Sequence, residues 1–380
     1  MLFGVLPLLL LGLGLTFLLD GGSGGETASG DDTQQPDTPP DPDTPPDPET
    51  PPATDGPLTL TPGDDRLDMG TTDASEVDAL GGNDTITADV QRPLVLTLGE
   101  GDDEAQVTNG FAEVDAGAGD DSVLMTDGAL LAFLGLGNDT VEGIDGQTEA
   151  YGGDGNDLMS STQFDDTLDG GAGNDTITSF DGENRLLGGA GDDLVTGGFD
   201  NDTILGGEGN DTLNGGDGGD DILIGGSGDD LIDTDGRGDT LFGYAGNDTL
   251  SAYSLSSLEN DLPGAVLDGG TGDDDLMGDL NATMTGGEGQ DDFTVVTEFG
   301  SPDSPAVIRD FNPSEGDRLF LTITPEFFGD PRDGPDYEVT RQLAANGFGI
   351  EILVNGEVYV TLEGLTTLDG WTVTVRENFI

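Results

Sequence analysis

A nine-residue repeat between Gly152 and Ser251 constrains the fold more than any other feature of the chain. Its blocks read G-G-x-G-x-D-x-U-x, where U is a large apolar residue, as in GGAGNDTIT at 170–178, GGAGDDLVT at 188–196, GGEGNDTLN at 206–214 and GGSGDDLID at 225–233. Each block divides into a six-residue turn and a three-residue strand. We expect glycines at positions one, two and four to allow φ > 0 and a tight turn with inward carbonyls. Strand alternation then buries U and leaves its two neighbours in water.

This pattern resembles the nonapeptide repeat of RTX (hemolysin-type) proteins, which bind calcium and form a parallel β-helix. The resemblance implies an all-β fold, a parallel β-roll or β-helix solenoid, with several Ca²⁺ ions between stacked turns. The aspartate at position six supplies a hard anionic oxygen beside the turn carbonyls, and calcium prefers such ligands.

The aspartates of the repeat fall into two rows, because two blocks make one coil of eighteen residues and each turn lies above the turn eighteen positions away. Ile224 is interpreted as a one-residue insertion that shifts the step once. We predict calcium ligands in row 1 at Asp65, Asp84, Asp103, Asp121, Asp139, Asp157, Asp175, Asp193, Asp211, Asp230 and Asp248. Row 2 is predicted to contain Asp166, Asp202, Asp220 and Asp239, with Asn184 as a defect. A final irregular coil adds Asp274 and Asp291.

The repeat begins at Gly63, before the first good copy of the nonapeptide. The row 1 aspartates from Asp65 to Asp157 follow one another in steps of 19, 19, 18, 18 and 18 residues. The half-coils between them lack the glycine pattern, as in Pro93–Leu96 and Leu131–Phe133. We therefore predict calcium turns on one side only from Asp65, with ordinary loops on the opposite side until Asp166. The roll is assigned to residues 63–295.

The charge of the chain is extreme, with 79 acidic residues against nine basic ones and a formal net charge of −70. Such self-repulsion favours disorder unless cations are part of the fold, and the regular aspartate spacing favours cations. Nucleic acid and anionic lipid headgroups are disfavoured partners. The sequence has no His, Lys or Cys. This excludes His-based triads, Schiff-base chemistry and thiolate metal sites.

Two segments precede the roll. Residues 1–19 form an apolar, uncharged run whose eighteen residues Leu2–Leu19 would be about 27 Å long as a helix. A retained membrane anchor is the favoured interpretation, and a cleaved signal peptide or an accidental apolar start are the alternatives. Residues 20–62 form an acidic, Pro-rich linker with DTPPDP repeats, which we expect to be disordered and extended. A ligand for an aromatic groove is the second interpretation of this linker.

The C-terminal segment, 296–380, differs in kind and is predicted to be a small β cap. Ala306–Phe311 and Gly316–Leu321 resemble the h-x-D-F…G-D-x-h-x-L element that follows the roll in RTX proteins. Asn355-Gly356 predicts a hairpin between strands at 349–354 and 357–362. Trp371–Arg376 alternates as one more strand. The resemblance also implies an uncleaved C-terminal signal for type I secretion.

These features favour a bacterial, non-enzymatic protein, exported or surface-held and possessing a roll that folds on binding Ca²⁺ and serves as a structural or adhesive module. Extracellular calcium modules bind with Kd values of about 10⁻⁴ to 10⁻³ M, so we expect folding after export. The cell-surface or matrix partner is unidentified. The alternative is a polysaccharide-active lyase or glycosidase, for which Arg237 and Tyr244 are weak candidates. Thr-Ile-Thr at 85–87 and 176–178 would suit an ice or crystal surface, but it recurs irregularly.

Overall fold

The computed structural model describes residues 57–70, 75–235, 238–252, 264–298, 304–324, 339–345, 349–365, 367 and 372–377. The apolar run 1–19, most of the linker, Arg237 and Trp371 lie outside these residues. The described part of the chain is built from β-strands and turns, and it has no α-helix. It accordingly contains no helix with the length and apolar character needed to cross a bilayer.

Thirty strands occur in the described residues. The first fifteen are β1 (Leu58–Thr59), β2 (Arg66–Asp68), β3 (Glu76–Asp78), β4 (Thr85–Asp89), β5 (Leu94–Glu100), β6 (Glu104–Ala118), β7 (Ser122–Leu136), β8 (Thr140–Ile144), β9 (Thr148–Asp154), β10 (Leu158–Ser161), β11 (Thr167–Ala172), β12 (Thr176–Thr178), β13 (Arg185–Ala190), β14 (Leu194–Phe199) and β15 (Thr203–Glu208). The remaining fifteen are β16 (Thr212–Asp217), β17 (Ile222–Ser227), β18 (Leu231–Thr234), β19 (Thr240–Ala245), β20 (Thr249–Ala252), β21 (Val266–Thr271), β22 (Asp275–Gly278), β23 (Thr283–Glu288), β24 (Asp292–Glu298), β25 (Ala306–Ile308), β26 (Arg318–Thr324), β27 (Val339–Leu343), β28 (Gly349–Val354), β29 (Glu357–Glu363) and β30 (Val373–Glu377).

The strands wind into a parallel solenoid of about twelve coils. In the repeat region each strand pairs in parallel with the strand two places along the chain, as in β10–β12–β14 and β11–β13–β15. We call the strands that follow row 1 sheet I and those that lead into its turns sheet II. β6 and β7 are long enough to run through both sheets, and they bend at Asn109-Gly110 and Asp127-Gly128, where Asn109 and Asp127 have φ of 63° and 59°. The predicted parallel β-solenoid is confirmed.

The core differs along the solenoid. In the nonapeptide region each strand contributes one large apolar side chain, such as Leu168, Ile177 and Leu186, all fully buried. Earlier coils have more: β5 buries Leu94, Leu96 and Leu98 side by side. There the positions equivalent to row 2 are also buried but contain no carboxylate, with Leu94, Ala112, Leu130 and Thr148 in register. Before Asp166, the coils therefore have aspartates on one side only and a broader hydrocarbon core.

The extra residue in the coil before Asp230 does not lie at Ile224. Ile224 stays in register, pairing with Leu205 and Phe242. The step changes from 18 to 19 between Asp217, which pairs with Phe199, and Asp220, which bonds to Asn201. Between them lies Gly218, which has φ of +86° and open space beside it. A turn absorbs an extra residue, whereas an insertion in a strand would turn every following side chain to the other face.

The outward face of sheet I is polar but not uniform. Thr176 and Thr178 flank the buried Ile177 as the alternation predicts. Thr176, however, pairs with Leu158 on one side and Leu194 on the other, so threonines do not form a continuous array at this position.

The last coil is covered by a small β cap. β25 and β26 extend the two sheets in parallel, and β29 and β30 pair with them in turn. β28 and β29 form the predicted antiparallel hairpin, in which Asn355 and Gly356 have φ of 52° and 91°, as a type I′ turn requires. Phe311 packs edge-on against Phe293 of the last regular coil, with ring centroids 6.0 Å apart.

Candidate calcium rows

Row 1 is a continuous ladder of side-chain hydrogen bonds. The backbone N–H of each row 1 aspartate donates to Oδ1 of the aspartate one coil later, at 2.7 to 2.9 Å from Asp65 to Asp248. The ladder continues from Asp274 to Asp291 at 3.1 Å and from Asp291 to Asp317 at 3.2 Å. The structure thus brings together every residue predicted for row 1, including those of the irregular coil. Sequence reasoning missed Asp317, because its Gly-Asp pair was assigned to the cap.

The second carboxylate oxygen of these aspartates is buried and has no hydrogen-bond partner. In row 1 this holds for Oδ2 of Asp84, Asp103, Asp121, Asp139, Asp157, Asp175, Asp193, Asp211, Asp230, Asp248 and Asp274. Burial raises the pKa of these carboxyls, to about 7 at Asp121 and Asp193, where the neighbouring row 1 aspartates add repulsion. Buried polar atoms are nearly always paired in proteins, so a column of unpaired anionic oxygens points to a cationic ligand.

Glycine is needed in the turn for two different reasons. At positions two and four the backbone is left-handed, as at Gly171 with φ of +104° and Gly173 with φ of +131°, and a Cβ would overlap the carbonyl of the coil before. At position one φ is ordinary, so the expectation of φ > 0 there is wrong. A Cβ on Gly170 would instead overlap Oδ2 of Asp175 and approach the carbonyl oxygen of Gly188 within 2.7 Å. The unpaired carboxylate oxygen and a backbone carbonyl oxygen therefore both border the space beside Gly170.

This donor set fits calcium. Within the described residues no three acidic side chains converge on one point, so an ion would take one or two carboxylates and complete its shell with turn carbonyls and water. Hard oxygen ligands in flexible numbers suit Ca²⁺, and the absence of nitrogen or sulfur ligands disfavours zinc and copper. The residues that would hold the ions are the row aspartates, and carbonyl oxygens of the glycine turns border the same space.

Row 2 contains the same ladder on the opposite side. Thr148, Asp166, Asn184, Asp202 and Asp221 each donate a backbone N–H to the side-chain oxygen one coil later, at 2.6 to 3.0 Å, and the last acceptor is Asp239. Oδ2 of Asp166 and Asp202 is again buried and makes no hydrogen bond of good geometry. Burial raises the pKa of both carboxyls to about 6, although the side chains of Ser161 and Asn184 lie close enough to act in the other direction and lower the pKa of Asp166 and Asp202, respectively.

The structure places Asp221 in row 2 rather than Asp220. Asp220 is exposed, and its N–H donates to Oδ1 of Asn201. Asp221 is buried, and its pKa is raised to about 7, mainly by burial and also by Asp239 and Asp202. Because Gly218 is an extra residue, the register shifts by one, and the second aspartate of the Asp220-Asp221 pair takes the row 2 position. Only the register of β17 separates the two aspartates.

A second ladder, which sequence reasoning missed, lies on the outer side of the row 1 turns. At position five, Asn or Asp side chains accept the backbone N–H of the next coil, as in Asn174 to Asn156 at 2.6 Å and Asp192 to Asn174 at 3.0 Å. The recurrent N-D and D-D pairs carry the signal for it. The two aspartate-rich ladders thus run in opposite directions through the same turns.

The two ends of row 1 are satisfied by protein donors. Oδ2 of Asp65 accepts the backbone N–H and the hydroxyl of Thr61 at 2.8 and 2.7 Å, and these bonds lower its pKa. At the other end, Oδ2 of Asp317 accepts the N–H of Asn312 at 2.7 Å, while Oδ1 accepts that of Asp291. Among the described residues, Oδ2 of the row 1 aspartates from Asp84 to Asp274 has no such donor.

Of the two residues considered for catalysis, Tyr244 is described. It is 55% exposed and has φ of 75°, and its ring lies 6.0 Å from that of Phe242. It thus lies on the outer face of sheet II, beside Phe242.

Comparison with known proteins agrees with the repeat. No curated protein matches the chain. A crystal structure of a hyperactive, Ca²⁺-dependent, β-helical antifreeze protein from an Antarctic bacterium is similar, at 20% identity and a TM-score of 0.43, over 70% of this chain and 78% of that one. The family model described as "RTX calcium-binding nonapeptide repeat (4 copies)" matches residues 151–179, 178–213 and 215–250. The chain therefore contains RTX calcium-binding nonapeptide repeats within residues 151–250.

Proposed function

We propose that this protein is exported or held at the cell surface, that its roll folds on binding Ca²⁺, and that the folded roll is a rod-like structural or adhesive module. The observation that carries the proposal is the column of buried, unpaired Oδ2 atoms that, together with turn carbonyl oxygens, border the glycines at position one. Burying an unpaired carboxylate is costly, and stacked carboxylates repel one another. A bound cation removes both penalties, so calcium-binding free energy becomes folding free energy.

A calcium titration followed by circular dichroism tests this function. We expect a cooperative gain of β signal with a midpoint of about 10⁻⁴ to 10⁻³ M Ca²⁺, reversed by chelator, and no comparable gain with Mg²⁺. Asp230→Ala should move the midpoint to higher calcium, whereas Glu208→Gln, which removes an exposed charge, should leave it in place. A β signal that millimolar calcium does not change would contradict the proposal.

The outer face of sheet II supports an adhesive role. Leu187, Leu205, Ile224 and Phe242 lie in register on four successive coils and point outward. Aspartates bound this stripe at both ends, Asp169 next to Leu187 and Asp268 next to Phe242. On a chain with net charge −70, a stripe free of carboxylates allows contact with a neutral surface at little electrostatic cost.

Paired substitutions test the adhesive face. Leu205→Ser with Ile224→Ser should weaken attachment to cells or matrix and leave the calcium midpoint unchanged. Thr178→Ser on sheet I is the matched control and should change neither. Equal attachment by the serine variant and the wild type would assign adhesion to another surface.

The segments outside the roll complete the proposal. Residues 1–19 would anchor the chain, the linker before β1 would act as a spacer of the roll from the membrane, and residues 296–380 would carry the type I secretion signal. The end of the predicted linker, 20–62, already belongs to the solenoid, since Leu58 and Thr59 pair with β3. Deleting 1–19 should release the protein into the medium, and deleting 296–380 should leave it inside the cell. Release of the full-length chain by a calcium chelator alone would argue against an apolar anchor.

A further inference from the structure

Asn184 occupies a row 2 position where the flanking coils have aspartate. It is 3% exposed, and its Oδ1 accepts the N–H of Asp166 at 3.0 Å, as an aspartate Oδ1 does elsewhere. Its own N–H donates to Oδ1 of Asp202 at 2.9 Å. The ladder therefore passes through Asn184 without a break, and the sequence defect is not a structural one.

The other end of the Asn184 carboxamide differs from that of an aspartate. Nδ2 donates to the carbonyl oxygen of Gly182, at position four of the same turn, over 2.9 Å. Because Oδ1 has to accept from Asp166, the orientation of the amide is fixed by its bonds. In an aspartate the corresponding atom is Oδ2, and two acceptors would then face each other with no proton between them. In row 1 that oxygen is buried without a hydrogen-bond partner, as at Asp175 and Asp193.

The turn around Asn184 has further donors of its own. Ser179, at position one of this turn, and Ser161, one coil earlier, are both buried, and their hydroxyl oxygens lie 2.9 Å apart. Many other turns have glycine at position one. At both ends of row 1, N–H and O–H groups of the protein likewise satisfy the last carboxylates. Protein donors at Asn184 and at the two ends of row 1 thus occupy the place that is without a donor in the row 1 aspartates from Asp84 to Asp274.

We propose that the carboxamide of Asn184 takes the place of a calcium ion in row 2, so that this row binds calcium on either side of Asn184 but not at it. An amide N–H and a calcium ion satisfy the same carbonyl, but only the amide does so at any calcium concentration. The turn at Asn184 is then a calcium-independent clasp within a calcium-dependent row. This inference rests on the proposed calcium binding.

Asn184→Asp in the full chain tests the clasp. Oδ2 of the new aspartate would face the Gly182 carbonyl without a donor, as in the calcium turns, so the variant should bind at least one more ion at saturation. Equilibrium dialysis with radioactive calcium gives the count. The slope of Tm against the logarithm of calcium concentration, which grows with the number of ions bound on folding, should be steeper than in the wild type.

Asp193→Asn is the matched reverse variant, because Gly191 stands at position four of its turn as Gly182 does in that of Asn184. It should bind at least one ion fewer and yet be folded at lower calcium than Asp193→Ala, which offers no amide. Equal calcium midpoints for the two Asp193 variants would overturn the inference. So would an unchanged or lower ion count in Asn184→Asp, including failure of that variant to fold in saturating calcium. If the wild type itself binds no calcium, the proposed function fails instead.

Discussion

The coils before Gly152 and those after it form the same solenoid with different cores and different numbers of aspartate rows. In the earlier coils sheet II buries three apolar side chains per strand, such as Leu94, Leu96 and Leu98, and only row 1 contains aspartate. In the nonapeptide coils the strand from Thr167 buries Leu168 alone, between Asp166 and Gly170. Burial of a leucine contributes about 1.5 to 3 kcal/mol, so the earlier strand gains roughly three times as much from its core.

If the roll folds on binding calcium as proposed, this difference predicts where calcium is needed most. A strand with one buried leucine and a carboxylate at each end has little to offset its conformational entropy until a cation arrives. A strand with three leucines and one row of carboxylates has a hydrocarbon core of its own. We therefore expect the two regions to lose structure at different calcium concentrations.

Calcium removal should have the largest effect. With chelator, backbone amides in 152–251 should exchange rapidly, because both rows lose their cations, whereas amides in 94–136 should keep part of their protection. Hydrogen exchange followed by mass spectrometry of the fragments measures both regions in one sample. If both regions lost protection at the same calcium concentration, the broader core would not be what holds the earlier coils.

Acidification should partly replace calcium. Burial raises the folded-state pKa of the row carboxyls from 3.8 to about 7 at Asp121 and Asp193, so the metal-free folded state binds protons that the unfolded chain has released. The stability of the metal-free fold is thus greatest at low pH and falls as pH rises from about 4 to 7. Circular dichroism without calcium should show more β structure at pH 5 than at pH 7.5.

The pH effect should be steeper in the region with two rows. Segment-resolved exchange at the two pH values would compare it with the single-row region. In saturating calcium the sign should reverse, because protons compete with the ions for the same carboxylates. A metal-free chain with the same structure at both pH values would contradict the raised pKa values.

Truncation of a core leucine should lower the free energy of unfolding by about 2 to 5 kcal/mol. The dependence of this loss on calcium should differ between the two regions. Leu96→Ala and Leu186→Ala each remove a fully buried leucine and should cost similar stability in calcium. In chelator only Leu96→Ala should lower the remaining protection, because the coils around Leu186 are already open. Urea unfolding with and without calcium measures this, and a loss of protection in chelator from Leu186→Ala would go against it.

Turn substitutions should have a smaller effect that is equal in both regions. Gly117 and Gly171 have φ of +107° and +104°, and a Cβ at either would overlap a carbonyl of the coil before. Gly→Ala at either position should therefore lower the free energy of unfolding by about 1 to 3 kcal/mol. Gly218→Ala is the control, because Gly218 has φ of +86° but nothing within 4 Å. Thermal unfolding in calcium compares the three variants. Unequal costs at Gly117 and Gly171 would mean that row 1 turns differ between the regions.

The resemblance to RTX repeats implied the parallel solenoid, and the spacing of the motif then predicted how its coils are laid out, because a solenoid repeats one local structure. Given that resemblance, the step of eighteen residues, the buried residue of each strand and the one-sided row from Asp65 follow from the spacing. Spacing could not decide between Asp220 and Asp221, since a bulged glycine before two aspartates leaves either in step. Nor could it find Asp317, whose coil is lengthened to 26 residues by the cap. Only the three-dimensional register resolves such cases.

The conformation of the turns was predicted less well than their position. Glycine at position one was expected to have φ > 0, but Gly170 is required for space next to Asp175 rather than for its backbone angle. A motif records which residue is needed and not why. The same holds for Asn184. From the sequence, an amide in place of a carboxylate was interpreted as a defect of the repeat, and its hydrogen bond to the carbonyl of Gly182 is visible only in the structure.

The row 1 ladder has a direction along the chain, opposite to that of the position-five ladder. The N–H of each row 1 aspartate donates to the coil that follows it along the chain, and the cap closes the last coil with Asp317. A chain that leaves the cell with its C-terminus first would find each new coil's acceptor already in place. Coils would then add one after another onto a finished end, and each ion captured would hinder the chain from sliding back.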